Sequence, residues 1–287
     1  MAKNVVKVTR SELVRCRRCE QAANVVRYGT SKGRQLYFCR KCNYKFLDNG
    51  AMPGMRIPAE AVGAAVGMFY EGMSLAAISR QLWNMCKVQP SRATIYGWVS
   101  GYSKKAEELL SDMRPITGRT WVVDETVVKV GGRNTWFWDA IDDKTRFLVA
   151  SHLSATRGAN DAEEVMRRAQ RNTVRAPRFI ISDKLAAYLE GIERVFGGDT
   201  WHLQSQGFQG AINTNLIERF HGTLKSRTKV MRGLKGPATA RTILDGFLVH
   251  YNYFRPHDTL RGKTPAEAAG IQVPYSKWAD IVRASKA

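Results

Sequence analysis

Three acidic residues and four cysteines carry the chemistry this sequence can offer. Asp124 sits in Trp121-Val122-Val123-Asp124-Glu125-Thr126-Val127-Val128-Lys129-Val130, a β-branched run that predicts a strand buried on both faces. A buried strand is a costly place for a carboxylate unless something pairs with it. A metal ion is a partner that also brings reactivity. A strand cap, or an arginine beside Asp124 or Glu125, is the inert alternative. Two later carboxylates bear on the choice. Asp183 ends the short apolar run Phe179-Ile180-Ile181-Ser182-Asp183, which follows Pro177. Glu218 lies in Asn213 to Lys225, where Leu216, Phe220 and Leu224 recur at helical spacing. Glu218, His221 and Lys225 share another face of that helix. Lys225, Arg227, Lys229, Arg232 and Lys235 then follow with no acid among them. A solvated basic helix has this pattern. So does a helix that meets a metal-bound phosphodiester, with Glu218 on the metal and the bases on phosphates.

The cysteines form two pairs, Cys16-Arg17-Arg18-Cys19 and Cys39-Arg40-Lys41-Cys42, with nineteen residues between them. Each pair suits a tight knuckle that aims two thiolates at one ion, and two knuckles complete a closed tetrahedral site. In a chain without secretory signals this favours one structural Zn²⁺ over disulfides, a redox pair being the alternative. Asn24 to Gly29 and Gln35 to Cys39 read as a hairpin across Thr30 to Arg34, hence a zinc ribbon at residues 1–50. So few residues build little core, so the metal would be what folds them. Basic loops suit DNA, although ribbons also bind proteins. Cys86 stands alone among apolar residues and reads as buried filler rather than a ligand.

The elements that must position these groups can be read in order. Asn49-Gly50-Ala51-Met52-Pro53-Gly54 is a turn-rich joint. Three helices follow in a unit at 51–114: Pro58 to Glu71, Leu75 to Trp83 capped by Ser74, and one opened by Pro90 and Ser91. Ile95, Trp98 and Val99 form the inner stripe of the third, leaving Arg92, Thr94 and Tyr96 in its first turns to face elsewhere. The pattern is that of a helix-turn-helix unit whose last helix reads the major groove, although any small helical bundle has similar caps. From 115 to 270 a catalytic core is expected. Strands through Asp124, Asn134 to Ile141 and Arg146 to His152 form a meander turned at Gly131-Gly132 and at Asp142-Asp143-Lys144. A helix over Asn160 to Asn172, the Asp183 strand, a helix over Lys184 to Phe196 and a strand over Asp199 to Leu203 complete it. The helix carrying Ile243, Leu244, Phe247, Leu248 and Tyr251 is expected to pack on the sheet. Residues 271–287 read as a tail.

The chain has 287 residues, with 45 Lys+Arg against 25 Asp+Glu and a net charge of +20, a field that attracts polyanions. Residues 1–56 hold thirteen basic and three acidic side chains, half that charge in a fifth of the length. The longest apolar run, Ala61 to Tyr70, is too short to cross a bilayer. No signal-peptide segment follows the first basic residues. A cytoplasmic, nucleoid-associated protein with no membrane partner is the expectation.

A three-strand meander followed by helix–strand–helix–strand is the order of a ribonuclease H-like α/β fold: a mixed five-stranded sheet with flanking helices. There the first and fourth strands lie side by side, with a right-handed crossover from the fourth to the fifth, and Asp124 and Asp183 aim at one point. With fifty-eight residues between Asp124 and Asp183 and thirty-four between Asp183 and Glu218, the chain resembles DDE-type insertion-sequence transposases and retroviral integrases. The nearest likeness is the insertion sequence six family. It is carried by Val123-Asp124-Glu125-Thr126, Lys129-Val130 before a hairpin, Ser182-Asp183, His202, Asn215-Leu216-Ile217-Glu218, Lys225, and Arg227 to Gly233. Lys184 departs from it, standing where a small residue is expected.

The resemblance implies a DNA transposase. Asp124, Asp183 and Glu218 would hold two Mg²⁺ (or Mn²⁺) ions for phosphodiester cleavage and strand transfer. Lys225, Arg227, Lys229 and Arg232, with Arg92, Thr94 and Tyr96, would contact DNA. His202 and His221 are auxiliary candidates or structural hydrogen-bonders. The partners would be double-stranded DNA, as terminal inverted repeats and target, and a second subunit, since two ends must be synapsed. Alternatives are a ribonuclease H-like nuclease or resolvase that cuts without joining, a DNA-binding regulator on an inactive core, and a purely structural basic protein.

Overall fold

The structure is a computed structural model that describes residues 14–31, 34–47, 55–207, 209–231 and 234–285. The expected joint at 49–54 lies outside the described residues. In the ribbon, β1 (Val25–Ser31), β2 (Arg34–Cys39) and β3 (Tyr44–Leu47) form one antiparallel sheet. The third strand was not expected, because Tyr44-Lys45-Phe46-Leu47 is only four residues long. Its core is small: Val14, Val25, Tyr37 and Phe46 around the cysteines.

Helices α1 (Ala59–Tyr70), α2 (Leu75–Cys86) and α3 (Arg92–Leu110) follow. Cys86, expected to be buried, is exposed at the end of α2, its thiol turned back to the Leu82 carbonyl. Ser74 and Ser91 cap the second and third through the N–H groups of Ala77 and Thr94, as expected from sequence. Their apolar faces do not close on themselves. Ile78, Leu82, Ile95, Val99 and Phe69 belong to the same cluster as Phe220, Leu224, Ile243 and Phe247 further along the chain.

The central sheet comprises β4 (Thr120–Val130), β5 (Arg133–Asp142), β6 (Leu148–Ser154), β7 (Phe179–Ser182) and β8 (Trp201–Gln204), in the order β6-β5-β4-β7-β8. The first three pair antiparallel; β4–β7 and β7–β8 are parallel. Gly131 and Gly132 make the β4–β5 turn with φ of 58° and 81°, the two positive values a tight hairpin of this kind requires. β6 starts at Leu148 rather than Arg146, because Asp142 accepts hydrogen bonds from Thr145 N–H and Oγ1 and holds the turn open. β8 starts at Trp201, after a 3₁₀ turn at Gly197–Asp199.

Side chains on β4 alternate. Val122 and Val128 face α1–α3, α6 (Asn215–Val230) and α7 (Pro237–Val249); Trp121 and Val123 face α4 (Ala159–Asn172) and α5 (Ala186–Phe196). The sheet is therefore covered on both sides, as its valine-rich central strand requires.

The segment after 271 is not a tail. Beyond the short α8 (Pro265–Ala268), α9 (Trp278–Ala284) lies on α1 and buries Trp278, Ile281 and Val282. A Cβ on Gly63 of α1 would come within 2.3 Å of the Ala279 backbone nitrogen, so only glycine allows this approach. Gly246 of α7 does the same against α1 and α3, where a Cβ would meet the Tyr70 hydroxyl at 2.1 Å. Seven residues gave the sequence reading too little periodicity to reveal α9. No helix among the described residues is long and apolar enough to cross a membrane.

Candidate active site

The parallel register of β4 and β7 pairs Thr120 with Phe179, Trp121 with Ile180 and Val122 with Ile181. Continued two residues, it sets Asp124 level with Asp183, on the face that α6 covers. Asp183 follows the last residue of β7, and its Oδ1 accepts the Leu185 N–H at 2.9 Å. That turn leads into α5, which starts at Ala186 rather than at the exposed Lys184. Behind Asp183, the Ser182 hydroxyl donates to the Asp183 carbonyl at 2.8 Å. It must therefore accept from His202 Nε2, 2.7 Å away, which makes His202 a donor that fixes the backbone at this carboxylate.

Carboxylate oxygens of Asp124, Glu125 and Asp183 all lie within 4.8 Å of one another. Burial first, then the Glu125 charge and those of Asp183 and Glu218, pushes the Asp124 carboxyl up to about 7. A cation is the natural remedy for like charges gathered at one place. Glu218 stands in the first turn of α6, exposed, its Oε1 accepting from the Thr214 hydroxyl at 3.0 Å.

Glu125 is the inert member of the group. It turns toward α5, where its Oε2 accepts from the Tyr188 hydroxyl at 2.6 Å and its Oε1 from Arg157 Nε at 2.7 Å, with Arg157 Nη2 also in contact. The arginine partner expected for one of these two acids is therefore present, and it belongs to Glu125. Arg157 Nη2 also lies 4.0 Å from Asp183 Oδ2. Although burial opposes it, the Glu125 hydrogen bond and the charges of Glu125 and Asp183 raise the guanidinium pKa further. Its group stacks over Trp136 at 4.7 Å.

On the other face, Asp139 of β5 is the cross-strand partner of Asp124. It is fully buried; its Oδ2 is 3.1 Å from His221 Nε2, while Oδ1 has no hydrogen-bond partner among the described residues. An orphaned buried oxygen costs about 1–3 kcal/mol. Burial, then the Asp124 charge, raises the Asp139 pKa well above the carboxylate range. Burial, then Lys225, depresses His221 to about 3. His221 does not share the exposed face of Glu218 and Lys225; it turns inward, and its Nδ1 is 3.6 Å from Asp124 Oδ2.

Of the expected DNA-contact residues, Lys225, Lys229 and Arg92 are exposed. Arg227 is a correction: it is only 2% exposed, with its guanidinium 3.6 Å from the Phe69 ring centroid. It falls on the inner stripe of α6 beside Leu224 and cannot present a charge to a phosphate outside. Tyr96 is half-buried against the main core, and the exposed Thr94 engages Ser91 through its hydroxyl in the α3 cap. Arg232 lies outside the described residues.

The four ribbon cysteines also converge, each offering a sulfur within 4.8 Å of the others. Cys19 and Cys39 Sγ are 3.8 Å apart. Each knuckle ends in a left-handed residue directly after its second cysteine, Glu20 at φ 55° and Asn43 at φ 49°. Cys42 is pushed up to about 12 by its hydrogen bond with Cys19, then by burial; Cys16 falls to about 7, burial being outweighed by the N–H groups of Arg18 and Cys19.

Sequence reasoning missed Asp139, Arg157 and Tyr188. Asp139 had a signal: it interrupts the apolar run Trp136-Phe137-Trp138-Asp139-Ala140-Ile141. Folding the chain at Gly131-Gly132 sets it opposite Asp124. Arg157 and Tyr188 had none, since their meeting with Glu125 depends on how α4 and α5 cross the sheet.

A meander whose first strand pairs in parallel with the fourth, with acids level at the end of that pair, is the ribonuclease H-like arrangement. Residues 118–257 match the family model of the DDE domain of insertion-sequence transposases, and this stretch of the chain is a DDE transposase domain. Among curated proteins none matches. Weaker likenesses occur among solved structures. The HTLV-2 integrase catalytic core domain in complex with magnesium is 16% identical, covering 55% of this chain and 98% of that one (TM-score 0.42). The BIV integrase catalytic core is 17% identical over 53% and 93% (TM-score 0.41). A chain of the simian T-cell lymphotropic virus intasome is 15% identical over 57% and 58% (TM-score 0.44).

Proposed function

We propose that this DDE transposase cleaves DNA at transposon ends and joins the freed strands to a target, with Asp124, Asp183 and Glu218 holding two Mg²⁺ (or Mn²⁺) ions. The observation that carries this reading is the mutual crowding of the acids at the β4–β7 edge, which lifts Asp124 to about 7. All ligands there are carboxylate oxygens, the donor type a hard divalent cation takes. Glu125 is close enough to be counted but is already satisfied by Arg157 and Tyr188. Among the described residues Glu218 accepts from the Thr214 hydroxyl, and its exposed side chain would swing in to join the pair. Bound there, the ions would supply Lewis-acid activation of the attacking oxygen and charge stabilisation of the leaving one.

The chain's own residues do the rest. Asp183 is held from behind by Ser182 and His202, and Lys225 and Lys229 lie on the outer face of α6 that Glu218 heads, suited to backbone phosphates. Arg92, at the exposed start of α3, suits a groove contact in a helix-turn-helix reading of residues 51–114. The 3.8 Å Cys19–Cys39 separation is the edge of a tetrahedron with about 2.3 Å bonds, the Zn²⁺–thiolate length, which supports one structural Zn²⁺ in a ribbon at 1–50. Synapsis of two terminal inverted repeats on target DNA calls for at least a dimer, working at the nucleoid in the cytoplasm.

The test is a strand-transfer assay with terminal-repeat duplex, target DNA and Mg²⁺. D124N, D183N and E218Q should each lower joined product at least about a thousandfold while melting like the parent. Full joining by D124N would sink the reading. Cleaved ends without new junctions would make the protein a nuclease instead.

A further inference from the structure

Asp139 presents a problem that the proposed chemistry does not solve. It is 0% exposed and, among the described residues, leaves one carboxyl oxygen without a hydrogen-bond partner. Buried ionisable pairs are poor sources of stability, since apolar residues of similar volume often do as well or better. What the pair does provide is direction. Asp124 and Asp139 stand side by side on β4 and β5 with their side chains on one face, and the His221 ring from α6 lies across both. Nε2 meets Asp139 Oδ2 at 3.1 Å, and Nδ1 faces Asp124 Oδ2 at 3.6 Å, an electrostatic approach rather than a formed hydrogen bond. The neighbouring Phe220 ring, with its centroid 5.7 Å from that of the imidazole, limits its tilt. His221 is also one helical turn beyond Glu218, so the same ring ties the level of α6 to that of β4.

We infer that Asp139 and His221 are a buried positioning pair: Asp139 fixes the imidazole, and the imidazole holds one oxygen of Asp124 so that the other is presented to a divalent cation. The inference rests on the reading of Asp124 as a metal ligand. Neither member touches substrate or ion. Both act through Asp124, as a carboxylate behind a histidine orients the ligands of other metal sites, where losing such a partner weakens affinity about 10–100-fold.

The measurement is Mn²⁺ binding followed by electron paramagnetic resonance on the full chain without DNA, its cysteine cluster kept zinc-loaded. D124N sets the baseline, and loss of tight binding is expected there. His221→Ala and Asp139→Leu should weaken Mn²⁺ about 10–100-fold. They should also raise the Mg²⁺ concentration for half-maximal cleavage while leaving the rate at saturating Mg²⁺ within a few-fold. Two near-isosteric variants guard against a folding artefact. H221N puts an amide nitrogen where Nδ1 stood and should recover most of the affinity; H221Q puts one where Nε2 stood and should not. Equal affinities for H221N and H221Q, or wild-type affinity in H221A, with D124N dead, would overturn the positioning pair alone. Wild-type Mn²⁺ binding by D124N would overturn the metal reading beneath it as well.

Discussion

The ribbon and the catalytic sheet both gather ligands for metal, and they do so by opposite means. In the ribbon, four side chains around the cysteines are nearly the whole core, and Cys16 and Cys39 are themselves its most buried residues. Without an ion among the sulfurs, little would hold β1–β3. In the sheet, Asp124 and Asp183 hang from strands whose order is set by Trp121, Val122, Val123 and Ile180, all 2% exposed or less. The fold there exists before the ion, and the acids are a cost it carries. A site that makes its fold tolerates no vacancy; a site borne by its fold can be emptied and refilled.

The contrast can be broken most sharply at the ribbon. Zinc chelation or C39S should abolish the ordered amide signals of residues 14–47 in an NMR spectrum and leave those of the five-stranded sheet in place. Loss of both together would mean that the sheet depends on the ribbon after all. A smaller effect tests whether the sheet tunes its acids. R157L leaves Glu125 buried with only Tyr188 as partner and frees Asp183 of a nearby charge. Arg157 is 38% exposed, so solvent screening keeps the cost below the about 3–5 kcal/mol of a fully buried pair; a modest fall in melting temperature is expected, along with lowered strand transfer. An unchanged melting curve would show that Arg157 is spectator to Glu125.

The smallest effect concerns an acid outside the site. Asp245 on α7 is pushed up to about 7 by burial, then by the Glu107 charge. Its folded-state pKa exceeds the ordinary 3.8, so the folded protein holds the proton longer than the unfolded one. It therefore loses stability as pH rises from about 4 to about 7, and no more above that. D245N should remove that loss. Its melting temperature should draw ahead of the parent's across this interval by a few degrees and then run parallel, a difference readable by calorimetry from pH 4 to 9. A constant offset at every pH would assign the effect to packing.

How much could be foreseen follows the same division. Features written in local pattern were legible: the paired cysteines, the valine run of β4, the Gly131-Gly132 turn, the serine caps of α2 and α3. The strand order, and with it the meeting of Asp124 and Asp183, followed from the sequence of elements. What escaped was decided by packing between distant segments. Arg227 belongs to a basic run by composition, yet the phase of α6 turns it under Phe69. His221 shares helical spacing with Glu218 but sits on the inward side of the stripe. Glu125, adjacent to Asp124, was separable from it only once strand alternation had sent one toward α6 and the other toward α5.

The close approach of α9 to α1 has a consequence for how the molecule is made. Gly63 and Ala279 are more than two hundred positions apart, yet their backbones nearly touch. On a ribosome, α1 emerges long before its cover exists, with Ala59, Val62 and Val66 open to water until Trp278, Ile281 and Val282 are synthesised. A chain stopped short of α9 would display this apolar stripe to chaperones and proteases, so interrupted copies should be cleared before they meet DNA.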